Sequence, residues 1–203
     1  MATLPTPRSA VTLWRNTTPP AANTAAGAGV LKILVAGCAT GTPVDLADLD
    51  AGTSKQPYRI TLGGTDTALY EANAVVRYLF RASELALDKQ IALEELLEWE
   101  ETTLSALHGS EDLDALLTAA DAKVGALGAG DVVGAADAVL LGALYFALTN
   151  SKPEVLRRHP ELQAWFARLG ATTAVAAALP NYEANVSHCD GVIVLKVRVR
   201  EEP

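Results

Sequence analysis

The chain has 203 residues, half of them apolar, with aromatics at 5%, charged residues at 20% and a formal net charge of −8. That length fits one domain, or two small fused ones, whose core needs neither disulfides nor metal. The acidic balance argues against binding a phosphate backbone or an anionic membrane surface, and no apolar run is long enough to span a bilayer. Cys38 and Cys189 are the only cysteines, too few for a disulfide framework or a cysteine zinc site. His108, His159 and His188 are scattered without ligand spacing, so no metal is expected.

Residues 1–10 read as a tail. No acidic residue precedes Asp45, the bias of an organelle transit peptide, but the prolines at 5, 7, 19 and 20 oppose an amphipathic helix. A cytoplasmic location is the expectation. Val11–Arg15 reads as a strand. Ala21–Ala28 reads as a short helix closed by Gly27 or Gly29, and Leu31-Lys-Ile-Leu-Val-Ala36 as a strand, because it has no break and carries β-branched residues. Pro43–Leu49 suits one or two helical turns. Tyr58–Leu62 alternates as a strand, Gly63-Gly64 and Asp66 make a turn, and Ala68–Tyr70 is a short strand leading into a helix over Ala72–Arg81. A parallel βαβ unit joined to an antiparallel hairpin predicts a mixed four-stranded sheet over residues 11–82.

Residues 83–183 read as all helix. Leu93, Leu96, Leu97, Leu104 and Leu107 recur at helical spacing within Asp88–Leu107, with Glu94, Glu95, Glu98 and Glu101 on the other side. Glu100 falls on the apolar line, to pair with a buried arginine or sit at an interface rim; the rim is the favoured expectation. Ser110–Leu127 follows. Ala135–Leu148 is apolar all round, which marks a central buried helix. Pro153–Leu169, restarted at Pro160, and Thr172–Leu179, stopping before Pro180, complete the set. Within the extension 184–203, Val192–Arg200 is the most strand-like segment, to be a sheet-edge strand or an extended linker.

A thioredoxin-like mixed sheet followed by an all-α subdomain is the plan of the glutathione transferase superfamily. Gln56-Pro57-Tyr58 resembles its proline position before a strand, Tyr70-Glu-Ala-Asn-Ala-Val-Val-Arg-Tyr-Leu79 its E-S-x-A-I-x-x-Y-L motif, and Gly134-Ala-Ala-Asp137 its S/T-x-x-D capping box. Within the superfamily the non-enzymatic branch fits best. Leu93–Leu104, Ala136–Tyr145 and Leu162-Gln-Ala-Trp-Phe166 are similar to stretches of the appended domain of eukaryotic methionyl-tRNA synthetase. Related modules occur in multisynthetase complexes and in elongation factor one gamma. The resemblance implies a protein–protein docking module of the translation machinery. Its partners would be other such domains of synthetases, auxiliary proteins or elongation-factor subunits, in a homo- or heterodimer.

The expectation is that the chain has no catalytic activity of its own and takes no cofactor. The alternative is a glutathione transferase with a degenerate glutathione site formed by Thr17, Thr18, Pro57, Glu71 and Ala72. Enzymes of the family carry Tyr, Ser or Cys at the end of the first strand. Thr17 and Thr18 are the nearest hydroxyls here, and both also suit helix capping. Ala72 stands where glutathione-binding members have serine, so one hydrogen bond to the glutathione carboxylate is missing while the backbone amide remains. Cys38 is read as following the second strand, in the wrong place for a catalytic thiol. Arg157 and Arg158 are the candidate partner-binding residues, since the guanidinium fork binds carboxylates through two hydrogen bonds.

Overall fold

The computed structural model describes residues 11–16, 25–49, 58–62, 68–69, 71–81, 87–104, 113–127, 132–185, 187–189 and 192–194. Strand and helix alternate first: β1 (Val11–Asn16), α1 (Ala25–Thr40), β2 (Val44–Leu49), β3 (Tyr58–Leu62), β4 (Ala68–Leu69) and α2 (Ala72–Phe80). The strands form a mixed sheet in the order β2-β1-β3-β4. β1 runs parallel to β2, with Val11 opposite Val44, and antiparallel to β3, with Leu13 opposite Ile60. β3 and β4 are antiparallel. The mixed sheet matches the expected pattern, but the route through it differs in two places.

First, the short helix Ala21–Ala28 and the strand Leu31–Ala36 are replaced by the single helix α1. A short apolar run has no period that separates a buried strand from a buried helix. Here burial decides: Val30, Leu31, Ile33, Leu34, Val35 and Ala36 are all in the core. A helix needs no alternation when it is covered on every side. Second, Val44–Leu49, read as helical turns, is the strand β2. The turn before it explains the switch. Gly41 adopts a left-handed conformation, φ 64°, and the Thr42 amide donates to the Gly37 carbonyl at 2.9 Å. That is a helix-closing motif glycine favours, and it redirects the chain beside β1.

The helical half follows: α3 (Leu87–Trp99), continued by a π-helical turn Glu100–Leu104, then α4 (Leu113–Leu127), α5 (Ala135–Asn150), α6 (Pro153–Leu156), α7 (Pro160–Gly170) and α8 (Thr173–Asn185). α5 is the expected central helix, with Ala138, Val139, Leu140, Leu141, Ala143 and Leu144 all buried. α1 packs against α5, α8 and α2, so the core joins the two halves of the chain. Gly142 lets α1 and α5 touch. A Cβ there would lie 2.4 Å from Lys32 Cγ and 2.7 Å from the Ala28 carbonyl oxygen.

α8 corrects another expectation, because it runs through Pro180 instead of stopping before it. Proline costs a helix its i−4 bond, but Val175, Ala178 and Tyr182 on both sides of it are buried, and that packing carries the helix on. Of the strand-like 192–200, Val192–Val194 forms β6 and pairs antiparallel with β5 (Ser187–Cys189), so it joins a hairpin of its own rather than the main sheet. Among the described residues no helix is long and apolar enough to cross a membrane.

Candidate functional site

The site-bearing motif falls at the start of α2. Glu71 is the N-cap, with extended backbone (φ −111°, ψ 122°), and its side chain makes no capping bond. The first helical bond is donated by the Val75 amide to the Glu71 carbonyl at 3.2 Å. The amides before it, from Ala72 onward, have no intrahelical acceptor, as at any helix start, and the helix dipole adds partial positive charge there. An anion is therefore favoured at this point. Ala72 is buried and brings an amide but no hydroxyl. Of the five residues expected at a glutathione site, Glu71 and Ala72 are adjacent here; Thr17, Thr18 and Pro57 lie outside the described residues.

Beneath this helix start is a buried polar network that only Glu100 had signalled. Lys32 Nζ lies 2.8 Å from Glu100 Oε2, and both side chains are 7% exposed. Lys32 also donates to Asn73 Oδ1 at 3.0 Å. Asn73 Nδ2 donates to Glu100 Oε2 and to Glu101 Oε1, both at 2.9 Å. Glu100 is therefore not at a rim, and its partner is a lysine. The π-helical turn explains how consecutive glutamates reach one amide. In an α-helix neighbours diverge by about 100° around the axis, and a π turn alters that spacing. The network ties α1, α2 and the end of α3 together one residue from Ala72, so the helix start is held in place. Lys32, a lone cation inside the run Leu31–Ala36, is the signal that could have been taken up, whereas Asn73 carries none in sequence.

Asp137 is a second hub. Its Oδ2 accepts from the Gly134 amide at 3.0 Å, which is the carboxylate half of the expected capping box. Its Oδ1 accepts from Trp165 Nε1 at 2.8 Å and from Arg168 Nη2 at 2.9 Å. Three donors converge on one carboxylate and pin α7 to the start of α5. This is structural chemistry, away from α2.

The remaining candidates are dispersed. Arg158 is exposed and bound within the chain to Asp114 at 2.9 Å; Arg157 is exposed and ends α6. Cys38 lies in the last turns of α1, not after a second strand, beside a cavity of about 420 Å³ with Val133, Arg168 and Thr172. Burial pushes its thiol pKa up, which suppresses the reactive thiolate. Tyr145 donates to Glu183 at 3.0 Å, and burial and that carboxylate raise its pKa. Among the described residues no cluster of His, Cys, Asp and Glu could hold a metal ion.

No family model matches the chain, and no curated protein matches it. Solved structures do. A theta class glutathione S-transferase from the citrus canker pathogen Xanthomonas axonopodis pv. citri, in apo form, is 23% identical, with a TM-score of 0.58 over 85% of this chain and 97% of that one. The same transferase is matched with glutathione bound, at 22% identity. Glutathione S-transferase III in apo form is 19% identical, with a TM-score of 0.60 over 85% and 96%. Maleylacetoacetate isomerase from Anaeromyxobacter dehalogenans, with GSH in its active site, is 16% identical, with a TM-score of 0.59 over 86% and 97%. These matches overturn the expectation of a docking module of the translation machinery, because the neighbours spanned almost end to end are transferases and an isomerase. The fold of this chain is that of the glutathione transferases.

Proposed function

We propose that the chain is a glutathione transferase with a degenerate glutathione site. The observation that carries this reading is the start of α2. Its amides are free of intrahelical partners, and the buried Lys32–Asn73–Glu100 network anchors it from below. The γ-glutamyl carboxylate of glutathione is the anion that suits this position, in a fold whose neighbours include structures with glutathione bound. The residues present fit that group incompletely. Ala72 gives an amide where a serine would give an amide and a hydroxyl. One hydrogen bond to a charged group is worth about 1.5–3 kcal/mol, so affinity is lowered by roughly tenfold to over a hundredfold.

The thiol of such a ligand would be served by Thr17 or Thr18, which follow β1 in sequence. A hydroxyl donating to sulfur stabilises the thiolate. The thiol gives up its proton to solvent water, sulfur bonds to an electrophilic carbon, and the leaving group departs with its electron pair. Steady-state conjugation of glutathione to an activated aryl halide tests this. Slow turnover at high glutathione is expected, falling by about tenfold or more in Thr17→Ala or in Thr18→Ala, as when a single charge-stabilising donor is removed. Turnover no faster than the uncatalysed reaction at saturating glutathione would overturn the reading.

A further inference from the structure

Asn73 is the second residue of α2 and is buried. Its side-chain amide is held by charges from two other elements. Lys32 Nζ, on α1, donates to Oδ1 at 3.0 Å. Glu100 Oε2 and Glu101 Oε1, in the π-helical turn after α3, each accept from Nδ2 at 2.9 Å. An ammonium only donates and a carboxylate only accepts, so the amide has a single orientation. Reversed, its NH2 group would meet the ammonium and its oxygen the carboxylates. Lys32 and Glu100 are themselves paired at 2.8 Å, so the charges that orient Asn73 are fixed in turn.

The same residue contributes a backbone amide to the anion-favouring helix start. The first helical bond of α2 is donated by Val75, so the amides of Ala72, Asn73 and Ala74 have no intrahelical acceptor. Asparagine side chains ordinarily compete for nearby backbone groups of this kind. Here the network draws the side chain into the core and leaves the amides to a ligand. We infer that Lys32 and Glu100 are positioning residues for the glutathione carboxylate, acting through Asn73. Neither needs to meet the ligand, and both side chains are 7% exposed. The inference rests on the reading of the α2 start as a glutathione site.

Steady-state conjugation with glutathione as the varied substrate, with a thermal melt of every variant, tests this. Asn73→Ala leaves the Lys32–Glu100 pair in place and should raise KM for glutathione about tenfold, as for one hydrogen bond to a charged group lost. The rise should fall on KM rather than kcat, because the network touches no reacting atom. Lys32→Met/Glu100→Leu removes both charges together, which spares most of the fold, and should raise KM to the same extent. Adding Asn73→Ala to that pair should raise it no further, since residues acting through one another are not additive. A role confined to stability would instead make KM follow the melt. Near-native melts with KM within twofold of the wild type would overturn the inference, and so would increases that multiply in the triple variant. Asn73→Ala alone decides the matter if the Lys32→Met/Glu100→Leu variant does not fold. A wild type that conjugates while the variants keep its KM sinks only this inference; a wild type no faster than the uncatalysed reaction removes the glutathione site itself, and the inference with it.

Discussion

Single residues here carry charge into places where only a partner makes it tolerable. Lys32 and Glu100 are the clearest case, and their predicted behaviour is asymmetric. Removing one partner strands the other in the core, so Lys32→Met or Glu100→Leu should destabilise by about 3–5 kcal/mol, while the double variant recovers most of the loss. Urea unfolding of the three variants would check this, and equal stability of single and double variants would refute it. Asp137→Ala removes three convergent hydrogen bonds and should cost about 2–4 kcal/mol by the same measurement. Tyr182 adds a pH dependence. Burial raises its pKa to about 12, so the folded state holds its phenolic proton more tightly than the unfolded chain does. The associated stability is complete below about pH 10 and is lost as the pH rises towards 12. Thermal melts in alkaline buffers should fall in that window, and Tyr182→Phe should flatten the fall.

Elements show what the sequence made readable and what it withheld. Helices with a polar face were readable from their period: α2 and α7 fall within a residue or two of expectation. β1 and β3 were readable from β-rich composition. The failures have two causes. α1 is covered on all sides, so its run Leu31–Ala36 has a single polar position, Lys32, from which no period can be read, and its β-branched residues then favour a strand. β2 went the other way because Asp45, Ala47 and Asp48 weaken its strand signature while Gly41 silently turns the chain. The candidate site was legible at Glu71 and Ala72 through a motif, but Asn73 sits in that motif at a variable position. The helix-crossing at Gly142 gives the test at this scale. Gly142→Ala forces a Cβ against the Ala28 carbonyl and Lys32, and overpacking of this kind costs about 1–3 kcal/mol. Because the strain falls on the helix that holds Lys32, the same variant should weaken any ligand bound at the start of α2. A melt and a binding titration on one sample would show both.

The whole molecule is a mixed sheet and a helical half sharing one core through α1 and α5. Its fold is shared with proteins that have glutathione bound. At the start of α2 the chain offers Ala72, an amide without a hydroxyl, to the anion that the proposed reading places there. The account therefore rests on Ala72, and the deciding measurement is calorimetric titration of glutathione into the wild type and Ala72→Ser. Weak binding by the wild type is expected, tightened by about tenfold or more in Ala72→Ser as one charge-assisted hydrogen bond is restored. Absence of glutathione binding by both proteins, each with an unchanged thermal melt, would contradict the assignment of this helix start as a glutathione site.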